Sequence, residues 1–261
     1  MSELTTAPLG IVEDVLRCGD VFAAAAELGL DGVEVVLAPG DLERKERLES
    51  IQEAIARSKL RVPSLILASH NVDGGIADAD ACIADRARAE VVAAVEWART
   101  LRAEVVLVPF FLAADVRNGP AVERCRVAFA ALCPVAAEAG ATLCFEGSLP
   151  ADTIVSIAER VDSDAFGCHF DPANLVVAGL DPASEARALG PLIRRVHLKD
   201  TQERRGDCRL GDGHVDFDAC ARALAEIGYE GWFVLESPPG DARHVARDVR
   251  FARAAFDVLR R

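Results

Sequence analysis

Short apolar runs alternate with helix-length amphipathic stretches from one end of the chain to the other. Leu9-Gly10-Ile11-Val12 predicts a first strand, and the Ala-rich segment 21–28, led in by Gly19-Asp20, predicts a helix. Gly29 and Gly32 punctuate the turn into Val33-Glu34-Val35-Val36, a second strand broken by Ala38-Pro39-Gly40. Asp41 then caps a charged helix running to about Leu60. The third predicted strand covers 64–69, with His70 at its end. A looser segment containing Asp73-Gly74-Gly75 precedes a long Ala/Arg helix over 85–101, and 105–110 forms the fourth strand. Pro120 starts a helix that Gly140 ends, and the fifth strand, Leu143-Cys144-Phe145-Glu146, follows at once.

In the second half, Pro150 opens a helix to about Val161, and the sixth strand, Cys168-His169-Phe170-Asp171, ends on a carboxylate. Helical turns across 175–189 lead to Arg194-Arg195-Val196-His197-Leu198, whose polar and apolar alternation is too short for a helix and predicts the seventh strand. A polar loop over 201–214 contains Leu210-Gly211-Asp212-Gly213; Asp216 caps the next helix, and Tyr229-Glu230-Gly231 turns the chain into Phe233-Val234-Leu235-Glu236. A helix over 241–260 closes the pattern. Eight strand–helix alternations predict a (β/α)8 TIM barrel, read as a single domain over 1–261; an open doubly wound sheet would carry a Gly-rich fingerprint after its first strand, and none is present.

Composition narrows the function classes. Half the residues are apolar and the formal net charge is −13, which weighs against a phosphate-backbone binder, so nucleic acid is not an expected partner. Residues 1–7 lack a basic start with an apolar core, and no apolar run approaches membrane-spanning length, so the expected location is the cytoplasm, with no membrane partner. Eight cysteines without any C-x-x-C pair read as reduced packing residues.

The chemistry lies in how the strands end. In a parallel barrel Glu146, Asp171, His197 and Glu236 meet at the C-terminal rim. Three carboxylates and an imidazole there repel one another and lose hydration unless a divalent cation neutralises them. Oxygen-rich ligation with one nitrogen suits Mn2+ first, then Mg2+ or Co2+, with Zn2+ admitted by its affinity. Such a cation polarises a carbonyl and stabilises an enediolate, and two glutamates on separated strands can serve as base and acid. Isomerisation, epimerisation and dehydration of a hydroxy-ketone all share that intermediate. Each residue alone has a plainer reading: Asp171 before Pro172 as a helix cap, His197 as a hydrogen-bonded core histidine, Glu146 and Glu236 as ion-pair partners.

The runs Glu146-Gly147, Phe170-Asp171-Pro172-Ala173-Asn174, His197-Leu198-Lys199-Asp200, Leu210-Gly211-Asp212-Gly213, Gly228-Tyr229-Glu230-Gly231 and Val234-Leu235-Glu236 resemble the xylose-isomerase-like TIM-barrel family of sugar isomerases and epimerases. The first half matches it in pattern only, including Gly32-Val33-Glu34. The resemblance implies that Glu146, Asp171, His197 and Glu236 are metal ligands, with both glutamates doubling as acid and base. It implies a small sugar or polyol-ketone substrate and a homodimer. Ketose epimerases of the family carry a His three residues after the sixth-strand Asp, where this chain has Asn174, so its substrate contacts must differ. The endonuclease IV branch needs an Asp-x-His that the loop at 206–210 does not supply.

The reading is thus a metal-dependent isomerase or epimerase. Its rivals are an inosose- or dehydroshikimate-type dehydratase, a non-catalytic sugar-binding barrel and an endonuclease. Further candidates for substrate binding are His70, Asn174, Lys199, Arg209 and Glu34. Lys199 has the alternative of pairing with Asp200 or another rim acid, His70 and Arg209 of simply facing water, and Glu34 of bonding to backbone. Asp200 is expected to orient a neighbour, and Trp232, Phe110 and Phe111 are expected to pack.

Overall fold

The computed structural model describes residues 7–256. Strands β1 (Leu9–Val12), β2 (Gly32–Val36), β3 (Ser64–Ile66), β4 (Val105–Pro109), β5 (Thr142–Glu146), β6 (Phe166–Phe170), β7 (Ile193–Leu198) and β10 (Trp232–Leu235) are all parallel and close on themselves in sequence order. Between β7 and β10 the chain inserts an antiparallel hairpin, β8 (Asp200–Thr201) with β9 (Arg205–Cys208). Closure satisfies the backbone of every barrel strand and places all eight carboxyl ends on one rim.

Helices α1 (Val21–Glu27), α2 (Lys45–Ser58), α4 (Ala81–Leu101), α5 (Gly119–Glu138), α6 (Ala151–Val161), α8 (Pro182–Leu189), α9 (Phe217–Glu226) and α10 (Ala242–Ala255) cover the barrel. Two short helices, α3 (His70–Asp73) and α7 (Pro172–Val177), start close after β3 and β6. The apolar stripes explain the docking. In α6 the buried residues are Ala151, Ile154, Ile157 and Val161, one helical face, and in α9 they include Phe217, Cys220, Ala221 and Leu224. Asp216 caps α9 through the Ala219 amide, as its place before the helix predicts.

Several boundaries differ from the sequence pattern. The long helix starts at Ala81, with Asp80 as its cap accepting from the Cys82 amide, so the start at 85 is four residues late in a segment with many carboxylates. Asp41 caps no long helix; a 3-10 turn, Asp41–Glu43, intervenes before α2. The third strand ends at Ile66, and His70 begins α3. The helical turns at 175–189 are two helices, α7 and α8, and the 201–214 loop holds the hairpin. Residues 1–6 and the end of the predicted closing helix lie outside the described residues.

The barrel interior carries a polar column. At its floor Arg195 reaches from β7 to the Pro63 carbonyl and to Glu104, 2.7 Å away. Above it stand Ser64, Glu34, His169 and His197, all buried. A register shift between Cys168 and His169 in the β6–β7 pairing accompanies this column.

Candidate metal centre

Each of four neighbouring barrel strands delivers one side chain to the rim: Glu146 ends β5, Asp171 follows β6, His197 lies near the end of β7, and Glu236 follows β10. One potential ligand atom from each lies within 4.8 Å of those of the others. His197 Nδ1 is 3.1 Å from Glu146 Oε1 and 2.8 Å from Glu236 Oε2. Lys199 Nζ enters the same cluster, 2.8 Å from Asp171 Oδ2 and 2.6 Å from Glu236 Oε2, so it pairs with rim acids other than Asp200. Asp171 combines both of its readings: Oδ1 accepts from the Ala173 and Asn174 amides as a helix cap, while Oδ2 faces Lys199 and accepts from Asn174 Nδ2. Asn174 Nδ2 also donates to Glu146 Oε1 at 3.3 Å, tying the two carboxylates together.

Directly beneath, His197 Nε2 is 2.7 Å from Glu34 Oε2. Ser64 Oγ donates to the other Glu34 oxygen, so Glu34, 0% exposed, bonds to side chains of the column rather than to backbone. With Nε2 protonated and donating to Glu34, Nδ1 is the nitrogen that faces Glu146 and Glu236. The His169 ring lies tilted against the His197 ring, 3.9 Å between centroids, and neither of its nitrogens has a hydrogen-bond partner among the described residues. Burial drives the His169 pKa well below its ordinary range, which keeps the ring neutral. His169 escaped the sequence reading although it lies on β6, two residues before the extended Asp171, the spacing that puts both on one face.

The rim separates its two glutamates. Burial raises Glu146, more than the attraction of His197 lowers it. Burial acts in the same direction on Glu236, but the charges of Lys199 and His197 outweigh it and hold the carboxyl at about 2. His197 and Lys199 are likewise opposed by burial and raised by the surrounding carboxylates. The donor set fits a divalent cation: Glu236 Oε2 is approached by two cationic groups yet makes no hydrogen bond of good geometry among the described residues. Glu146, Asp171, His197 and Glu236 are the residues that can hold it.

Glu146, His197 and Glu236 of the cluster line an open cleft of about 340 Å³, room for a small sugar. Its walls include Asp14, Phe111, Leu112 and Arg205, none of which the sequence reading assigned to substrate. Phe111 faces the cleft rather than packing in the core as Phe110 does. Asp14 stands two residues beyond β1, one further than Asp171 and Glu236 stand beyond their strands; burial and Glu236 raise its pKa.

Two predicted contacts lie elsewhere. His70, the first residue of α3, is 0% exposed with Glu90 of α4 3.5 Å away; it faces neither water nor the cleft. Arg209 is bound to Asp248 and Ser237 and secures the loop after β10, away from the cleft lining. Asp200 accepts from the amides of Thr201, Gly211, Gly213 and Val215, which explains the Leu210-Gly211-Asp212-Gly213 run. Gly211 takes φ +82°, and a Cβ on Gly213 would collide with the Asp200 carboxylate.

Comparison with known proteins agrees with this architecture. The chain is 28% identical to an L-ribulose-5-phosphate 3-epimerase of Salmonella heidelberg, over 94% of this chain and 92% of that one. Among solved structures, an L-ribulose 3-epimerase superposes with a TM-score of 0.81 at 22% identity, covering 98% of this chain and 96% of that one. A D-psicose 3-epimerase from Clostridium cellulolyticum gives 0.79 at 15% identity, covering 95% and 99%. The profile described as xylose isomerase-like TIM barrel matches residues 22–258, and the chain belongs to that family.

Proposed function

We propose that the protein is a divalent-metal-dependent epimerase of a small ketose, working through an enediolate with Glu146 and Glu236 as the acid/base pair. The observation that carries the reading is the meeting of Glu146, Asp171, His197 and Glu236, within 4.8 Å, at the floor of an open cleft. A cation held by these four, Mn2+ by ligand preference, supplies polarisation of the substrate carbonyl.

The protein's own groups account for the proton movements. In barrel order β5 and β10 are separated by β6 and β7, so Glu146 and Glu236 approach the cleft from different sides. Glu236, held ionised, removes the proton beside the carbonyl; Glu146, raised by burial, returns one from the other face, and the roles exchange in the reverse direction. Delivery to the opposite face inverts the carbon, which is epimerisation. The ketose 3-epimerases among the relatives support carbon 3 as the reacting centre.

Metal-loaded protein incubated in D2O with ketopentoses, ketohexoses and their phosphates should place deuterium at carbon 3, and Glu146→Gln should abolish it while the fold persists. Water loss without exchange would favour the dehydratase. One bound metal with no exchange into any ketose would sink the enediolate reading.

A further inference from the structure

We propose that Arg209 and Asp248 are positioning residues, which fix the strand end carrying Glu236 so that its carboxylate meets metal and substrate in one geometry; this rests on the epimerase reading above. Neither residue lines the cleft. Behind the rim, Arg209 Nη1 donates to Asp248 Oδ2 at 2.9 Å and to Ser237 Oγ at 3.2 Å, and Ser237 Oγ donates to the same Asp248 oxygen at 2.6 Å. Ser237 is the residue after Glu236, so this closed triangle ties the chain just beyond the proposed base to α10. The same loop is tied to the segment after β1. Gly240 N donates to the Val15 carbonyl, the Arg17 amide donates to the Gly240 carbonyl, and a Cβ on Gly240 would run into the Arg209 guanidinium. One guanidinium thus backs the loop that follows β10 and, through it, the turn that carries Asp14.

Stability gives no reason for this arrangement. Asp248 is the one acid of α10, and it occupies the helix's buried face together with Val245, Val249 and Ala252. Asp248 is fully buried and Arg209 mostly so. The same helix and loop are already joined at the surface by Arg247 and Asp212, both half exposed. Taking two charges out of water costs free energy that their attraction scarcely offsets, and apolar residues of similar volume would pack such a face at least as stably. What the charged pair adds is direction, because its hydrogen bonds place Ser237 where packing alone would let it slide. The neighbouring residue needs that. Glu236 Oε2 has no hydrogen bond of good geometry among the described residues, so its position depends on where the backbone puts it. A reacting group misplaced by about 1 Å loses on the order of a hundredfold in rate.

Three variants test the pair. Arg209→Met/Asp248→Leu removes both charges and orphans neither; Ser237→Ala keeps the ion pair and cuts its bond to the loop; Arg209→Lys keeps the charge. In Arg209→Met/Asp248→Leu the urea midpoint should stay near that of the wild type, while the Mn2+ dissociation constant from calorimetry rises about tenfold. With metal saturating, its kcat for deuterium exchange should fall about 10- to 100-fold at little-changed KM. Ser237→Ala should move both quantities the same way, and Arg209→Lys should recover part of them. Wild-type Mn2+ affinity and kcat in the folded double variant, or an affinity that falls only where the urea midpoint falls with it, overturns the proposal. Should the double variant not fold, Ser237→Ala decides: unchanged Mn2+ affinity and kcat overturn the proposal, and losses in both at a wild-type midpoint sustain it. If no ketose exchanges deuterium with the wild type, the epimerase reading fails, and the Mn2+ affinities alone decide whether Arg209 and Asp248 position Glu236.

Discussion

At the scale of single residues, the centre depends on a group that touches none of the cleft. Glu34, one strand away from β3 and buried under His197, decides which imidazole nitrogen points upward. Carboxylates in that position orient a ligand histidine and raise its basicity, and their loss weakens metal binding by about 10- to 100-fold. Glu34→Gln should therefore bind Mn2+ at least about tenfold more weakly by calorimetry while keeping the wild-type circular dichroism. Unchanged affinity would reduce Glu34 to a packing residue of the barrel column. His70 makes a different prediction. Burial lowers its pKa from 6.5 to about 4, so the native ring stays neutral while the unfolded ring takes a proton first. The folded pKa is depressed, hence its contribution is intact above pH 6.5 and is lost as pH falls from there towards 4. Stability of the wild type should decline over that window with a slope approaching about 1.4 kcal/mol per pH unit, and denaturant titrations of His70→Gln should show a flatter decline. Parallel curves for the two proteins would mean that the ring is not held neutral.

At the scale of elements, the strands and their carboxyl ends were legible because both signals are local. An apolar run of strand length followed by Glu, Asp or His is visible in the chain itself, as at Phe145-Glu146 and Leu235-Glu236, and parallel closure then brings those ends to one rim. What lay beyond reach depended on contacts between distant segments. Arg209 finds Asp248 39 residues away, so nothing nearby distinguishes it from an arginine aimed at substrate, whereas Arg205 in the same loop lines the cleft. His70 sits at a predicted strand end, but β3 stops at Ile66 and the chain turns into α3, burying the ring against α4. The hairpin was unreadable for a related reason: its order comes from Asp200 drawing in amides from up to 15 residues further on. Asp200→Ala strands those buried donors. It should lower stability by about 2–4 kcal/mol in urea and admit protease between 202 and 208. Full resistance and an unshifted midpoint would mean that the loop is ordered by other contacts.

At the scale of the whole molecule, the rim is an electrostatic load that the closed barrel imposes. Folding gathers Glu146, Asp171 and Glu236 around one point, where Lys199 and His197 balance them in the absence of a cation. The unfolded chain, with these residues far apart in sequence, has no such site, so a cation that binds there binds the native state alone. Linkage then stabilises the fold by RT ln(1 + [L]/Kd), about 2.7 kcal/mol at a hundredfold excess over Kd. For a chain of this length that corresponds to a rise in Tm of about 5–10 °C. The acidic surface also attracts cations, because the net charge is −13, but that contribution is diffuse and screened by salt. Asp171→Asn and His197→Ala separate the two effects, since both leave the surface almost unchanged while removing ligands from the rim. Melting in roughly 0.15 M salt, a concentration at which exposed charges are largely screened, should show the increment with Mn2+ in the wild type. Chelation should reverse it, and both variants should lack it. A shift of equal size in the variants would assign cation binding to the surface, leaving the four strand ends as an ion-paired network built around Lys199.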